Sequence, residues 1–516
     1  MIPLALVALV GLSPVRFPNS GPPAAQPAFL RGVTALHNFQ YEDAAEAFLE
    51  AQGIDRDFAL AYWGEAMAYN QTLWLNQDVD KAREILVRLA PTPEARAAKA
   101  KTDREKGYVR AVEVLFGSGE RAARDRAYAA EMRALAKSYP EDPEAQTFCA
   151  LALMGQMARS PALFREGGDD QHQHALVGSE IQKQAAAILE RVLAQSPGHP
   201  GALHYLIHDY DDPEHARLAL PAARAYAKVA PESSHALHMP AHIFLQLGMW
   251  DEAAASDDAS FRASDAWVKS KGLPVAMRDY HSLSWLLYES LQQGRFQKAR
   301  ETLDLLSPAV QATGAPRLKA ILSDMRARYV VETRSFQELA TAKDFDTTSE
   351  LFAIGMSAAR RGDSRVGEMA LAELSRRAGS SESGRGGKDV GVMEKELAAL
   401  VAVGAGRGSD AVLRMQEAAA LERDLPPPLG PPRPIKPAPE LFGEILLELG
   451  RPREAAAEFE RALTRWPNRS LSLLGRARAA AALGDRESTR RHYQQFLVNW
   501  RRADPGLPEL PEAQKY

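Results

Sequence analysis

A 15-residue segment near the middle of the chain occurs twice, and this repeat is the feature that most limits the possible folds. SPGHPGALHYLIHDY begins at Ser196, and APESSHALHMPAHIF begins 34 residues later, at Ala230. A period of this length accommodates two antiparallel helices and a turn, and such hairpins stack so that each buries its apolar face against the next. The sequence therefore predicts an array of helical hairpins.

Hairpin motifs recur along much of the rest of the chain. Small and aromatic residues recur at matching positions in FLRGVTALHNFQYEDAAEAFLEAQGID, in RDYHSLSWLLYESLQQGRFQKARETLDLL and in the segment that starts at ELFGEILLELG. A small residue lets the first helix of a hairpin approach the second, and the aromatic side chain packs between neighbouring hairpins. Thr92–Phe116 is expected to form one long charged helix, and Asn70–Asp78 an irregular loop that carries Trp74. Since no stretch alternates like a strand, and no phosphate loop or nucleophile elbow occurs, the fold class is predicted to be all-α.

These motifs resemble the tetratricopeptide repeat superfamily over roughly two-thirds of the chain. The resemblance implies a right-handed α-solenoid that serves as a scaffold and binds a protein or peptide partner on its concave face, which the first helices of the hairpins build. The segments ALHYLIHDYDDPEHA and HALHMPAHIFLQLGMWDEA further resemble a group of largely uncharacterised bacterial repeat proteins that are often exported. The Lys and Asn residues that some relatives use to clamp a terminal carboxylate are absent, which argues against that mode of binding.

Changes in composition predict six segments. They are a signal-like, disordered N-terminus (1–27), a repeat array that includes the His-rich repeats of 197–248 (28–310), weaker helical repeats with a flexible break at 379–391 (311–424), a Pro-rich connector (425–439), a C-terminal repeat pair (440–505) and a tail (506–516). The apolar run Pro3–Leu12 is too short to span a bilayer and is typical of a secretory signal. We therefore expect export to the periplasm or the exterior, with a cytoplasmic location as the alternative.

The doubled segment carries a His-x-x-x-His pair in each copy. Residues four apart on a helix share a face, so both imidazoles of a pair point the same way. Adjacent helices pack about 8–10 Å apart, a gap that His side chains can bridge to a shared ion. Imidazole suits Zn, Cu, Fe and Ni. The predicted metal ligands are His204, His208, His238 and His242.

The resemblance places the same four histidines at the fifth and ninth positions of their helices, which face the groove in peptide-binding relatives. The alternative to a metal site is therefore a hydrogen-bonded polar groove. Four further residues are candidate additional ligands: His235, His281, Glu65 and Asp209. His172 and His174 lie in a polar loop at a spacing that fits no helical pair, so solvation is favoured for them.

The sequence is compatible with three functions, and it assigns no catalytic residue. In order of preference they are a scaffold for a protein or peptide partner, a metal-binding solenoid that holds Zn or Cu, and a metal-dependent enzyme. The enzyme would need an open coordination position and a nearby acid or base. A net charge of −4 gives no electrostatic reason to expect a nucleic acid partner. Cys149 is the only cysteine, so an intramolecular disulfide is impossible and a Cys-based metal site is not expected.

Overall fold

The structure, a computed structural model, describes residues 15–156, 180–339, 347–380, 385–426 and 429–516. It is 75% helical, and 25 α-helices lie among the described residues. The strands of this described part are two residues long each, so the all-α prediction is confirmed. No helix in it combines the length and the apolar character needed to cross a membrane.

The chain divides into two compact units, and the described part of unit 1 comprises residues 15–156, 180–210 and 218–240. Its helices are Gln26–His37 (α1), Tyr41–Ile54 (α2), Ala59–Met67 (α3), Val79–Leu89 (α4), Pro93–Lys99 (α5), Asp103–Leu115 (α6), Arg121–Ser138 (α7), Pro143–Met154 (α8), Glu180–Gln195 (α9) and Pro200–Asp209 (α10). Helices that follow each other in the chain pack together, except α4 and α5, and α1 also contacts α10. The division between the units falls inside the next two helices, Ala216–Val229 (α11) and Ser234–Gln246 (α12).

An aromatic ring between two glycines holds the first hairpins of unit 1 together. Phe48 of α2 is fully buried and packs against Gly32 of α1 and Gly64 of α3. A Cβ atom at Gly32 would lie 2.8 Å from the Phe48 ring, closer than van der Waals contact allows. The close approach of these helices therefore depends on small residues, as the repeat motif predicts.

Two sequence predictions in unit 1 need correction or refinement. The single helix predicted for Thr92–Phe116 is wrong, because α5 ends at Lys99 and α6 begins at Asp103. Thr102 and Glu105 form a capping box that starts the second helix. The Thr102 hydroxyl accepts the backbone N–H of Glu105, and the Glu105 carboxylate accepts the backbone N–H of Thr102. The loop that carries Trp74 contains a short antiparallel pair, Asn70–Gln71 (β1) with Asn76–Gln77 (β2).

The described residues that precede α1 are packed, not disordered. Phe17 is 3% exposed, and its ring centroid lies 5.3 Å from that of Phe29 and 5.0 Å from that of Tyr108. Arg104 Nη1 donates a hydrogen bond to the carbonyl oxygen of Pro18 at 2.6 Å. The predicted disorder of 1–27 is therefore wrong for residues 15–27, because burial of Phe17 fixes this segment. Pro3–Leu12 lies outside the described residues.

The described part of unit 2 comprises residues 211–217, 241–339, 347–380, 385–426 and 429–516. Its further helices are Trp250–Ser270 (α13), Tyr280–Gln292 (α14), Phe296–Thr313 (α15), Pro316–Thr333 (α16), Thr348–Arg361 (α17), Ser364–Ser380 (α18), Arg385–Gly404 (α19), Gly408–Arg423 (α20), Ala438–Glu448 (α21), Pro452–Arg465 (α22), Ser470–Ala482 (α23), Arg486–Asn499 (α24) and Glu509–Ala513 (α25). Successive helices again pack on each other. Phe459 repeats the role of Phe48, since it packs between Gly443 and Gly475.

Two predicted connectors in unit 2 are more ordered than the sequence indicates. Residues 385–391 of the predicted flexible break belong to α19, and 381–384 lie outside the described residues. In the Pro-rich connector Ile435 and Lys436 are buried, and Arg328 donates a hydrogen bond of 2.9 Å to the carbonyl oxygen of Pro432. The described part of this connector is therefore packed against helices, because its polar backbone and its lysine find partners there.

Candidate metal centre

Three histidine side chains of unit 1 bring their Nε2 atoms together. His204 and His208 lie four residues apart on α10, and His235 lies in the first turn of α12. The Nε2 atom of His204 is 2.9 Å from Nε2 of His235 and 3.0 Å from Nε2 of His208. One ligand atom from each of the three lies within 4.8 Å of the other two. We call this group the histidine triad.

Capping residues define where the helices that carry the triad begin. His199 precedes α10, and its Nδ1 atom accepts a hydrogen bond of 3.2 Å from the backbone N–H of Ala202. Pro200 follows in the first turn, where its missing N–H costs nothing. Ser233 precedes α12, and its hydroxyl accepts from the backbone N–H of Ala236. These caps fix the register in which the three rings meet.

The protonation state of His204 follows from its neighbours. Its Nδ1 atom lies 2.6 Å from the backbone carbonyl oxygen of His37, which can only accept, so Nδ1 carries the hydrogen. Burial lowers the pKa of His204 to about 3, and the ring is therefore neutral at pH 7. A neutral ring with its hydrogen on Nδ1 has a lone pair on Nε2, and this lone pair faces the other two histidines.

Aromatic rings surround the triad. The centroid of the Phe39 ring lies 4.3 Å from that of His204, and Tyr226 stacks on the same imidazole at 5.0 Å. Trp74 lies 5.6 Å from His235, which is half-buried, whereas His204 and His208 are at most 1% exposed. The triad is thus enclosed by apolar surface and approaches solvent only on the His235 side.

The spacing of the triad is close to what a metal ion needs. A tetrahedral ion with metal–nitrogen bonds of about 2.0–2.1 Å separates its ligand nitrogens by roughly 3.3 Å. The two Nε2 distances to His204 are shorter by only a few tenths of an ångström, a change that side-chain rotation can supply. Three imidazoles leave the fourth tetrahedral position open.

The predicted four-histidine group is rearranged in the structure. His235, which the sequence suggested only as an additional ligand, is the residue of unit 1 that joins His204 and His208. His238 also belongs to unit 1 and is 1% exposed, but it lies one turn further along α12. The physical reason is that the first turn of α12, not the second, brings an imidazole to the Nε2 atom of His204.

His242 and His281 belong to unit 2. His242 Nδ1 lies 2.7 Å from Oδ2 of Asp211, and Gln246 donates to the other oxygen of that carboxylate. The ring centroids of His242 and His281 are 6.5 Å apart, and Trp285 packs against both rings. Asp211 therefore orients the His242 ring, a contact that the sequence did not predict.

Neither acidic candidate joins a metal-type group among the described residues. The Glu65 carboxylate accepts a hydrogen bond of 2.6 Å from Gln52 and pairs with the guanidinium of Arg88. These partners lie on α2 and α4 and hold Glu65 at their interface, so it does not serve the triad. Asp209 accepts a hydrogen bond from Gln182 through its backbone carbonyl. His172 and His174 lie outside the described residues.

Sequence reasoning missed a second buried cluster in unit 1, formed by His37, Glu144 and His199. Glu144 Oε2 lies 2.7 Å from His37 Nε2, and Glu144 Oε1 lies 3.3 Å from His199 Nε2. The three residues are far apart in the chain and share no spacing, so no local pattern could have grouped them. Only the folding of α1, α8 and α10 against each other brings them together.

No family model matches the chain, and no curated protein matches it. Among solved structures, a tetratricopeptide repeat protein from Parabacteroides merdae is 14% identical and has a TM-score of 0.31, with 55% of this chain and 98% of that chain covered. The APC/C hetero-tetramer Cut9–Hcn1 is 11% identical with a TM-score of 0.30, covering 95% of this chain and 96% of that one.

Yeast Tom70 is 13% identical, with 95% of each chain covered and a TM-score of 0.29. Likenesses at this level carry no conclusion about function. The architecture rests instead on the helices described above, in which successive helices pack together and Phe48 and Phe459 each lie between two glycines. By its own helices, this chain is an all-α protein built from packed helical hairpins.

Proposed function

We propose that this chain is a helical-repeat protein that binds one divalent transition-metal ion through His204, His208 and His235. A single observation carries the proposal. The Nε2 atoms of His208 and His235 both lie within 3.0 Å of Nε2 of His204, in a buried site that aromatic rings surround. His235 is the most exposed of the three and stands where an ion could enter.

The hydrogen-bonding pattern favours an ion over a purely polar cluster. Because His204 Nδ1 donates to the His37 carbonyl, the Nε2 atom of His204 offers one lone pair to two neighbouring nitrogens. Two ring nitrogens lie within 3.0 Å of this atom, although its single lone pair can accept only one strong hydrogen bond. A metal ion would accept the lone pairs of all three rings at once, with each ring then carrying its hydrogen on Nδ1.

The ligand set selects the class of metal. Neutral imidazoles suit Zn, Cu, Ni and Fe, whereas Mg and Ca prefer oxygen ligands. The carbonyl that holds Nδ1–H of His204 is the outer partner that metal-binding histidines ordinarily have, since it fixes both tautomer and ring orientation. We therefore expect zinc or copper, as the sequence suggested.

Metal titration of the full chain without a polyhistidine tag tests this proposal. After treatment with a chelator, the parent should bind one ion more per chain than His208→Gln or His235→Gln. His492→Gln is the matched control, because His492 is buried and hydrogen-bonded to Ser488 but lies outside the triad. Copper bound at the triad should also quench the fluorescence of Trp74, and Trp74→Phe should remove that part of the quenching.

Equal stoichiometry in the parent and in both triad variants would overturn the metal proposal. The histidines would then be polar residues of the helical interface, which is the alternative that the sequence left open. Loss of one ion in His492→Gln as well would show that the binding is not specific to the triad.

A protein-interaction scaffold is the second function that we propose, in agreement with the hairpin architecture. A groove of about 740 Å³ supports it, since it is lined by apolar Leu30 and Pro200 and by acidic Asp43 and Glu46. We expect Glu46→Lys to lose partners that in-cell cross-linking recovers with the parent, and Glu417→Lys, at an exposed site in unit 2, to retain them. Equal recovery with both variants would exclude this groove as the binding surface.

A further inference from the structure

We infer that Glu144 is a positioning residue of the metal centre, which it serves by fixing His37 and His199. The inference rests on the proposed metal binding and adds a residue that touches no ligand of the ion. Glu144 lies in the first turn of α8, and its side chain is completely buried. Each of its carboxylate oxygens faces the Nε2 atom of a different histidine.

The tautomers of both histidines can be assigned from their other contacts. His199 Nδ1 accepts the N–H of Ala202, so the ring hydrogen is on Nε2, which lies 3.3 Å from Glu144 Oε1. The hydroxyl of Tyr205 lies 3.0 Å from His37 Nδ1 and can donate to it. His37 Nε2–H then donates to Glu144 Oε2 at 2.7 Å.

This assignment separates the second cluster from the triad. Both Nε2 atoms of His37 and His199 carry hydrogens, and a protonated nitrogen cannot bind a metal ion. Glu144 therefore accepts a hydrogen bond from His37 and has Nε2 of His199 beside its other carboxylate oxygen, whereas the triad offers lone pairs. Glu144 acts by holding other residues in place.

The two histidines that Glu144 holds are the two that define the position of His204. His37 is the last residue of α1, and its backbone carbonyl accepts the Nδ1–H of His204. His199 caps α10, the helix that carries both His204 and His208. One carboxylate on α8 thus fixes the acceptor that sets the tautomer of His204 and the start of the helix that supplies two ligands.

The test is Glu144→Gln in the full chain, with cobalt as the spectroscopic probe. An amide of the same shape can accept from one histidine but presents N–H to the other, so the paired arrangement cannot persist. We expect the number of bound ions to stay the same and the affinity for cobalt to fall by up to about 10-fold, the lower end of the range for direct partners of metal ligands, because Glu144 acts one contact further out. The visible absorption spectrum of the bound cobalt should also change, because the geometry at His204 is altered.

Glu65→Gln is the matched control, since Glu65 is also a buried, ion-paired carboxylate of unit 1 but has no contact with this cluster. It should keep the affinity and the cobalt spectrum of the parent. His199→Asn provides a second variant, because Asn retains the capping of α10 while losing the contact to Glu144. Its affinity for cobalt should also be lower than that of the parent.

A readout without metal separates this inference from the proposed function. Histidine side-chain nitrogen NMR of the metal-free parent should show His204 as the Nδ1–H tautomer, and Glu144→Gln should show a mixture. Parental affinity, spectrum and tautomer in both Glu144→Gln and His199→Asn would overturn the role of Glu144 and leave metal binding intact. Failure of the parent to bind cobalt would overturn both, and if Glu144→Gln fails to fold, His199→Asn gives the decision.

Discussion

At the scale of single residues, burial sets protonation states that the sequence does not reveal. His204 is an ordinary imidazole in the sequence, but burial lowers its pKa to about 3 in the fold. Glu422 shifts in the opposite direction for the same reason, since its pKa rises to about 8 because burial disfavours the charged carboxylate. A neutral base and a neutral acid thus exist at pH 7 in places where the sequence shows a histidine and a glutamate.

The Glu422 shift predicts how stability depends on pH. Between its ordinary pKa of 4.5 and its folded value of about 8, the folded chain holds a proton that the unfolded chain releases. Stability therefore falls as pH rises through this window, by up to about 1.4 kcal/mol per pH unit from this group. Glu422→Gln cannot ionise and can still accept the N–H of Ala438, so we expect a shallower fall of the melting temperature from pH 5 to 8.

Glu454→Gln, at an exposed pair with Arg451, is the control for this measurement and should keep the parental pH profile. Glu396 is also buried with a raised pKa, so part of the slope should remain in Glu422→Gln. A variant as steep as the parent would contradict the protonated state of Glu422.

The sequence predicted the members of the histidine triad only in part, and the reason is geometric. The spacing of four placed His204 and His208 on one face of α10, because this follows from the helix alone. Whether His235 or His238 meets them depends on how α12 is positioned along α10. A shift of α12 by about one turn along its axis would exchange the two, and local spacing does not encode this position. The partners of Glu65, Gln52 and Arg88, could not be predicted for a similar reason, since they come from other helices.

At the scale of helices, the repeat motif predicted the packing between helices that follow each other in the chain. The glycines around Phe48 and around Phe459 could be assigned from spacing, because the hairpin is a local unit. Boundaries were harder to predict, as the capping box at Thr102 shows. Its four-residue signal, which starts α6, lies within a charged run that favours helix on both sides.

Gly32→Ala tests the close approach of α1 to α2. The added Cβ would lie 2.8 Å from the Phe48 ring, so the helices must separate or the ring must turn. Overpacking of this kind costs about 1–3 kcal/mol, and we expect a decrease of that size in the free energy of unfolding, measured with denaturant. Gly53→Ala, on the exposed side of α2 with no atom within 4 Å of the new Cβ, should be neutral or stabilising by up to about 1 kcal/mol. Equal effects of the two changes would show that Phe48 does not limit the spacing.

At the scale of the whole molecule, the chain consists of two units, each with its own buried polar core. In unit 2 the fully buried guanidinium of Arg469 binds Glu440 at 2.8 Å and Glu332 at 2.6 Å. Lys436 binds the same Glu440 at 2.8 Å, so charges from α16, α21, the residue before α23 and the Pro-rich connector meet in one network. The burial of Lys436 explains why that connector is packed, and composition alone could not show it.

Arg469→Ala should destabilise unit 2 strongly, because it leaves Glu332 and Glu440 buried without their main counter-ion. Removal of one partner of a buried ion pair costs about 3–5 kcal/mol. Hydrogen exchange measured by mass spectrometry should show faster exchange in α14, α16, α21 and α23 of unit 2. Arg451→Ala removes an exposed ion pair and should leave exchange unchanged. Parental exchange in Arg469→Ala would show that the network does not hold these helices.

The most direct test of the metal centre is anomalous diffraction from crystals of the tag-free chain grown with zinc, at wavelengths on both sides of the zinc absorption edge. We expect an anomalous peak with Nε2 atoms of His204, His208 and His235 about 2.0–2.1 Å away. The peak should be absent from crystals of His208→Gln. Full occupancy of zinc elsewhere with none at the triad, or Nε2 atoms that keep their present spacing with no peak between them, would contradict it.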